Sequence, residues 1–598
     1  MNTKGREKPI RKSLHLKGIA AAPGIAMGQA FVLEKSPLQI PQYWIPVKEL
    51  NSEIQRFQES ILKINEDFLR IKERLCKYEG QAQIHILESY GMILQDELLV
   101  QNTIDHIKSE HINAEWALQK TLTRIKSVFS NFEESYFRER QSDIDYIGQK
   151  IIEHLVVGNT QEPMSNLPLN SILVAQDLSP AETSELHKYR IKGFVTEVGG
   201  ETSHTAIVSR AMHLPAVLGC KQITQKIKNG ETLILDGEAG IVILHPGPEE
   251  LAHYQSLQKE SVQADKKLLK QIHLPTETLD HFRLHLLANI ELVEEIDSLK
   301  MQGAEGIGLF RTEFLFLNRA QAPSEEEQFQ IYKKVVESVY PLPATIRTLD
   351  IGADKIPTQH KYKSEPNPAL GLRAIRFCLK EKTLFKAQLR ALLRASVFGR
   401  LKVMLPMISS LSEVAQVKKL LEEIKEELSA KKIDYDPHLP LGVMVETPSA
   451  VILAREIARE VDFLSIGTND LIQYSLAVDR INEGVAHLYK PLHPTVLRLM
   501  KMTVQAAQEA HIPVGVCGEM ASSPWYILIL LGLGFSQLSM NALSIPRVKG
   551  MIRALSFREA KAVFEHALTF EYEQDLESFV RKELKRLVDV DALKISRI

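Results

Sequence analysis

Cysteine is scarce in this chain of 598 residues, which contains four. The four are scattered and form no CxxC pair. The sequence therefore argues against a disulfide framework and against a thiolate zinc site, and it favours a reducing cytoplasm as the location. The cysteines are Cys76, Cys220, Cys378 and Cys517.

Long apolar runs and an excess of one charge are also absent. The longest strongly apolar stretch, residues 525–535, is interrupted by Gly532 and Gly534 and is shorter than the about 20 residues that span a bilayer. Residues 1–15 form a basic extension, but no apolar segment of a secretory signal follows them. The net charge of −2 gives no electrostatic case for nucleic acid. We therefore expect neither membrane insertion nor nucleic-acid binding.

Proline is missing from residues 47–162, and glycine occurs there four times. Apolar residues recur at spacings of three and four from Ile54 to Leu75, which predicts a long amphipathic helix capped by Asn51 or Ser52. We interpret this block as a helical bundle inserted into another domain. That second domain comprises residues 16–46 and 163–247, where short strands and turns predict a mixed α/β unit.

Eight short apolar runs alternate with helical stretches from residue 284 onward. Strands buried on both faces, each followed by a helix, predict a (β/α)₈ barrel over residues 279–575. The charged segment 248–278 is predicted to be a linker helix, and residues 576–598 a helical tail. The eight runs are 284–290, 306–310, 344–350, 401–407, 441–447, 462–467, 513–519 and 536–542.

Polar residues follow the barrel runs at matching places, where such barrels carry their active face. Converging arginines favour a substrate rich in phosphate and carboxylate, because the guanidinium fork fits both groups. Glu446 and Asp470 would repel such an anion unless a cation stood between them, so they suggest Mg²⁺. Cys517 could be a nucleophile, an acid or a core residue. The set is Arg311, Glu313, Arg347, Asp350, Glu446, Asn469, Asp470, Cys517 and Glu519.

A Gly-Gly turn at residues 199–200 precedes His204 and a short helical run. Free N–H groups at a helix start favour an anion beside the imidazole, so His204 could carry a phosphoryl group. One histidine among 19 is, by itself, more often structural or exposed.

The longer motifs settle that choice. GGETSHTAIVSRAMHLPAVLG (199–219) resembles the phosphohistidine signature of enzymes that use phosphoenolpyruvate (PEP). Barrel segments such as GAEGIGLFRTEFLFLNR (303–319) and SIGTNDLIQYSLAVDR (465–480) resemble the Enzyme I family of the bacterial phosphotransferase system. The resemblance covers residues 16–575 or so. It implies a multidomain α/β fold: a swivelling phosphohistidine α/β domain with an inserted helical bundle, followed by a (β/α)₈ TIM barrel.

The resemblance also implies an activity. His204 would take the phosphoryl group of PEP and pass it to a histidine of the carrier protein HPr, with release of pyruvate. The helical block 47–162 would dock HPr, the barrel would form a homodimer, and residues 248–278 would contain the hinge. The implied site roles are phosphate binding by Arg311, Arg347 and Arg480, support from Arg373 and Lys355, carboxylate binding by Asn469, Mg²⁺ ligation by Glu446 and Asp470, protonation of the enolate carbon by Cys517, and a hydrogen bond from Thr183 to the histidine.

The sequence departs from the family's pattern at two positions. Glu201 stands where the family usually has a basic residue, and Ala353 replaces a frequent glycine.

Three alternative functions stay open. Pyruvate phosphate dikinase and PEP synthase share the motifs but carry a large ATP-binding domain before the histidine, whereas the residues before it here are helical without a Gly-rich phosphate loop. A nitrogen-type paralogue would carry an extra N-terminal sensor domain, for which we expect no room. A regulatory protein that has lost catalysis is the third alternative.

Overall fold

The computed structural model divides into two compact units, Met1–Glu260 with Arg597–Ile598, and Ser261–Ser596. The residues that the structure describes are 13–33, 40–75, 91, 93–94, 96–129, 144, 147–156, 167–178, 182–183, 186, 189–199, 205, 209, 214–316, 321–352, 365, 367–480, 482 and 484–589.

The first unit contains an eight-stranded sheet in the order β1-β8-β7-β3-β4-β5-β6-β2. Strands β3 to β6 pair in parallel, and the other pairings are antiparallel. Ile172 and Val174 pack on one face of the sheet and Leu173 and Ala175 on the other, as alternating side chains must. The strands are β1 Leu14–Lys17, β2 Ile19–Ala22, β3 Ile25–Leu33, β4 Ile172–Ala175, β5 Gly193–Thr196, β6 Ala216–Leu218, β7 Thr232–Asp236 and β8 Ile241–Leu244.

A helical bundle is inserted between β3 and β4, which are neighbours in the sheet. Phe57, Ile64 and Phe68 form part of its separate core, so the predicted apolar stripe is the buried one. The predicted cap is wrong: the first helix begins at Leu50, and Asn51 and Ser52 lie inside it. The helices of the bundle are Leu50–Leu75, Glu97–Glu110, Ala114–Phe129 and residues 147–156.

Two further elements flank the α/β part in the sequence. Leu14 and His15, predicted to belong to the basic extension, pair with Leu244 and Ile243 as the start of an edge strand. The helix Pro248–Lys270 lies in the segment predicted as the linker. Together these elements confirm the predicted α/β domain with an inserted helical bundle.

The second unit is a closed barrel of eight parallel strands in the order β10-β11-β12-β13-β14-β15-β16-β9. Each predicted apolar run matches one strand, and two of the strands begin one residue before their run, so the (β/α)₈ prediction is confirmed. The strands are β9 His285–Ile290, β10 Ile307–Phe310, β11 Pro343–Arg347, β12 Arg400–Leu405, β13 Leu441–Val445, β14 Phe463–Ile466, β15 Val514–Val516 and β16 Gln537–Asn541.

Helices surround the barrel and share one large core with its strands. The last of them begins at Glu573, and its Leu576, Val580 and Leu584 are buried in that core, so it is a packed element. Within the described residues, no helix is both long and apolar enough to cross a membrane. The helices are Ile296–Met301, Glu325–Val339, Ala374–Lys380, Lys382–Ala395, Leu411–Ala430, Pro448–Ile452, Ala454–Ala458, Thr468–Leu476, Pro494–Glu509, Pro524–Leu533, Ile545–Ala554, Phe557–Ala567 and Glu573–Leu587.

Candidate active site at the barrel mouth

A pocket of about 300 Å³ lies at the carboxyl ends of the barrel strands. It brings together every described barrel residue to which the resemblance assigns a site role, whereas Glu519 from the predicted strand-end set does not line it. The charged and reactive side chains that line it are Glu291, Arg311, Glu313, Arg347, Asp350, Arg373, Glu446, Asn469, Asp470, Arg480 and Cys517.

Strand ends account for this convergence. Arg311, Glu446 and Cys517 each directly follow a strand, and Arg347 is the last residue of β11. Asp470 lies in the first turn of the helix after β14. Because all eight strands run in parallel, their carboxyl ends share one rim of the barrel. Residues far apart in the sequence therefore face one cavity.

Arg347 is the most deeply buried of the four described arginines in the pocket, with 11% of its side chain exposed. Its Nη2 lies 3.1 Å from Glu313 Oε1, and its Nη1 lies 2.9 Å from Asp350 Oδ2. The Nε of Arg347 is buried and has no hydrogen-bond partner among the described residues. The Nε–H group of Arg347 therefore has hydrogen-bonding capacity that no described residue uses.

Asp350 joins two of the arginines. Arg373 Nη2 donates to Asp350 Oδ1 at 2.7 Å, and the same Nη2 lies 3.5 Å from Asp470 Oδ2. Burial alone would raise the pKa of Asp350, but the charges of Arg347 and Arg373 outweigh it and lower that pKa. Asp350 is thus an ionised anchor for both cations.

Arg311 and Arg480 lie at the outer part of the pocket. Arg311 forms an ion pair with Glu291. Arg480 Nη1 lies 3.3 Å from Glu519 Oε1, which also accepts a hydrogen bond from Asn469 Nδ2 at 3.0 Å. Both arginines are therefore paired with carboxylates that an incoming anion would displace or share.

Three carboxylates could hold a metal ion. Asp350, Glu446 and Asp470 each offer an oxygen, and these oxygens lie within 4.8 Å of one another. Burial, and then the negative charges of Asp470 and Asp350, raise the pKa of Glu446 well above its usual range. A cation among these oxygens would relieve that repulsion, and an all-oxygen donor set suits a hard divalent ion.

Asp350 is the least available of the three, because Arg347 and Arg373 occupy both of its oxygens. Glu446 uses Oε1 to accept the backbone N–H of Met407. Glu446 and Asp470, the predicted pair, are therefore better placed to act as ligands than Asp350. The residues fit a divalent cation, and the donor set by itself does not name the element.

Cys517 is buried at the inner end of the pocket, beside Met444 and Leu309. Its Sγ donates to Ile466 O at 3.6 Å. Burial raises the pKa of the Cys517 thiol to about 11, so the sulfur is protonated at neutral pH. Nucleophilic attack needs the thiolate, so this environment favours a proton donor or a core residue over a nucleophile.

Two predicted site residues, His204 and Lys355, lie outside the described residues, as do Glu201 and Ala353. Thr183, the predicted partner of His204, is described and fully buried. The predicted hydrogen bond between Thr183 and His204 stays a prediction.

Sequence reasoning missed the carboxylates that hold the arginines. Glu313 and Asp350 belong to the predicted strand-end set, but the sequence assigns them no role, and Glu291 is not in that set. Glu291 directly follows β9, so the rule that selected Arg311 could have selected it too. The pairing itself joins different strands, and the linear sequence carries no signal for it.

Comparison with known proteins assigns the chain to a family. The model described as "PEP-utilising enzyme, N-terminal" matches residues 17–140, "PEP-utilising enzyme, mobile domain" matches 167–240, and "PEP-utilising enzyme, PEP-binding domain" matches 265–557. A solution structure of an Enzyme I (nEIt) protein is 34% identical, with a TM-score of 0.37, over 41% of this chain and 99% of that chain.

Two curated relatives match almost end to end. The phosphoenolpyruvate-protein phosphotransferase of Haemophilus influenzae is 40% identical over 569 residues, which are 94% of this chain and 99% of the relative. The protein of the same name from Bacillus subtilis is 39% identical over 570 residues, 95% of this chain and 100% of the relative. The chain therefore belongs to the phosphoenolpyruvate-protein phosphotransferase family of PEP-utilising enzymes.

Proposed function

We propose that this protein transfers the phosphoryl group of PEP to its own His204 and then to a histidine of the carrier protein HPr, releasing pyruvate. This is the first step of a phosphotransferase system. The observation that carries the proposal is the pocket at the barrel mouth, where arginines and paired carboxylates converge at the strand ends. The match of residues 167–240, which include His204, to a PEP-utilising mobile domain supports it.

The arginines give the pocket its anion chemistry. Arg311, Arg347 and Arg480 would hold the phosphate, with Arg373 and Lys355 as supporting cations. The buried, unpaired Nε of Arg347 favours this assignment. Phosphoryl transfer proceeds through a loose transition state, so positioning and charge neutralisation supply most of the catalysis.

The other end of the substrate would meet Asn469, whose amide now exchanges hydrogen bonds with Glu519 at 3.0 Å in both directions. In the proposed complex the Asn469 Nδ2–H groups turn to the carboxylate of PEP. Glu446 and Asp470 would hold Mg²⁺. When bound, this ion would neutralise charge on the substrate oxygens.

Transfer breaks the bond between phosphorus and the enol oxygen of PEP and forms a bond between phosphorus and a ring nitrogen of His204. The electron pair of the broken bond leaves with the enolate of pyruvate. Cys517 would then donate its S–H proton to the enolate carbon, and a solvent proton would restore the thiol. Its raised pKa supports this role, because the proton is present at neutral pH.

Three segments would serve assembly and the delivery of the phosphoryl group. Residues 47–162 would dock HPr, the barrel 279–575 would dimerise with a second copy, and the segment 248–278 would let the histidine domain move between its two partners. Such movements commonly take microseconds to milliseconds. We also place the protein in the cytoplasm, in keeping with the free, buried thiols of Cys220, Cys378 and Cys517.

A coupled assay of pyruvate tests the proposed function. The full-length protein is incubated with PEP and Mg²⁺, with and without HPr, and with and without ATP. We expect repeated turnovers of pyruvate release that require HPr in excess over enzyme, stop when all HPr is phosphorylated and are indifferent to ATP. A requirement for ATP would instead support a dikinase, and absence of turnover with every addition would support a regulatory protein.

A further inference from the structure

A chain of buried polar side chains crosses the barrel wall behind the pocket. Gln328 and Tyr332 lie on the helix Glu325–Val339, Gln388 lies on the helix Lys382–Ala395, and Thr312 follows β10. All four side chains are fully buried. Polar groups in such a position are costly unless hydrogen-bonded, so their bonding pattern identifies what the chain holds in place.

Gln388 uses every polar atom of its amide. Its Nε2 donates to Thr312 Oγ1 at 3.3 Å and to Tyr332 OH at 3.1 Å, while its Oε1 accepts the backbone N–H of Leu349 at 3.1 Å. The Thr312 hydroxyl in turn donates to the carbonyl oxygen of Arg347 at 3.0 Å. The Gln388 amide therefore contacts the backbone after β11 directly and the end of β10 through Thr312.

The two strand ends held in this way carry the pocket's central cations. Thr312 is adjacent to Arg311, and the bonds to Arg347 O and Leu349 N lie on either side of Thr348, just before Asp350. A displacement of either strand end would change the distance between the Arg311 and Arg347 guanidinium groups. It would also move Asp350, which anchors both Arg347 and Arg373.

We propose that Gln388 is a positioning residue for PEP, which sets the spacing of Arg311 and Arg347 by fixing the ends of β10 and β11. This inference rests on the proposed function, because it takes those arginines to bind the phosphate. A displacement of about 1 Å in a catalytic group can cost on the order of 10²-fold in rate. A residue that holds the arginine-bearing strand ends in place should therefore have a measurable effect on the reaction of PEP.

Gln328 provides a matched control at the far end of the same chain. It is equally buried, accepts a hydrogen bond from Tyr332 OH at 3.1 Å, and donates to Pro323 O at 3.1 Å. Neither hydrogen bond of Gln328 is made to a strand end that carries a pocket arginine. The variants Gln388→Met and Gln328→Met each replace a buried amide by an apolar side chain of similar length, so both lose hydrogen bonds in the barrel wall.

The experiment measures KM and kcat for PEP in the full-length variants with saturating HPr and Mg²⁺, together with the melting temperature. The transfer of phosphoryl from pre-phosphorylated enzyme to HPr is measured separately. We expect Gln388→Met to raise KM for PEP on the order of tenfold, whereas Gln328→Met keeps KM within about twofold of wild type. Transfer to HPr should be unchanged in both, because that step does not use the pocket.

A third variant, Thr312→Val, keeps the shape of the side chain and cuts the link between the two strand ends, so it should raise KM even if Gln388→Met fails to fold. Equal KM values for the Gln388 and Gln328 variants would reduce Gln388 to a structural role and overturn the inference, as would a wild-type KM in Thr312→Val. Failure of the wild-type protein to release pyruvate would instead contradict the proposed function itself.

Discussion

Pairing between arginines and carboxylates is the dominant feature of the pocket at the scale of single residues. Arg347 lies between Glu313 and Asp350, and all three side chains are largely buried. Breaking a buried ion pair by removing one partner typically costs 3–5 kcal/mol, because the other charge stays behind. The pairs therefore keep the cations in place, and in the proposed complex an anion of matching geometry would replace part of that pairing.

Glu446 differs from Asp350, because the folded protein disfavours its ionised form. Burial and the charges of Asp470 and Asp350 raise its pKa, so the folded protein favours the neutral acid. Its contribution to stability is full below the unfolded pKa and is lost as pH rises through the folded pKa. Each unit of raised pKa corresponds to about 1.4 kcal/mol.

Glu446→Gln should therefore stabilise the metal-free protein at pH 7 to 8 and remove its response to Mg²⁺. Thermal melting of both proteins in a chelator and in Mg²⁺, between pH 5 and 8, checks this. Glu460→Gln, a change at an exposed carboxylate paired with Lys418, serves as the control and should leave the response to Mg²⁺ unchanged. A wild-type response to Mg²⁺ in Glu446→Gln would remove this residue from the proposed ligand set.

Cys517→Ala should separate the two halves of the reaction. Loss of a general acid typically costs 10²–10⁴-fold, so pyruvate release should slow by about that factor while phosphorylation of the enzyme persists. Single-turnover quenching with assays of both products measures the separation. Because burial raises the thiol pKa to about 11, the wild-type protonation step should not weaken between pH 7 and 9.

Cys220→Ala is the matched control for that experiment, since Cys220 is a second buried thiol whose pKa burial also raises to about 11, and it belongs to the first unit and does not line the pocket. It should keep both steps at the wild-type rate. Unchanged pyruvate release in Cys517→Ala would contradict the proposed role of Cys517.

Strands of the barrel were predictable at the scale of elements because a parallel strand covered on both faces is a continuous apolar run. Their ends were less exact, since several runs extend into the mouth of the barrel. The run 513–519 contains only the three-residue strand Val514–Val516, and Cys517 and Glu519 already belong to the site. Edge strands β1 and β2 escaped prediction because their residues are mostly small or exposed.

Close packing between barrel strands gives a prediction about Gly308 in β10. A Cβ atom there would lie 2.2 Å from Ser539 Oγ and 2.6 Å from Ser539 Cβ. Gly308→Ala should therefore destabilise the barrel by about 1–3 kcal/mol, as overpacking usually does. Denaturant unfolding measures the change.

The double variant Gly308→Ala with Ser539→Gly removes both of those contacts and should recover part of the lost stability. If Gly308→Ala is as stable as wild type, or if the double variant is no better than the single one, the packing of β10 against β16 differs from that described.

At the scale of the whole molecule, the proposed function separates substrate binding from phosphoryl delivery. The pocket belongs entirely to the second unit, whereas His204 belongs to the first. Sequence alone located the strand-end residues, and the family resemblance gave them roles. Neither the sequence nor the resemblance could identify Asp350 as the shared anchor of two arginines, or Gln388 as its neighbour behind the pocket. Their bonds join elements that meet only after the barrel closes.

The central claim is that one imidazole carries phosphorus from the barrel to another protein. It is tested most directly by incubating the full-length protein and His204→Ala with ³²P-labelled PEP and Mg²⁺, then adding HPr. We predict acid-labile label on the wild-type chain alone, and its movement to HPr within the turnover time. Equal labelling of His204→Ala, or wild-type label that never reaches HPr, would contradict the account.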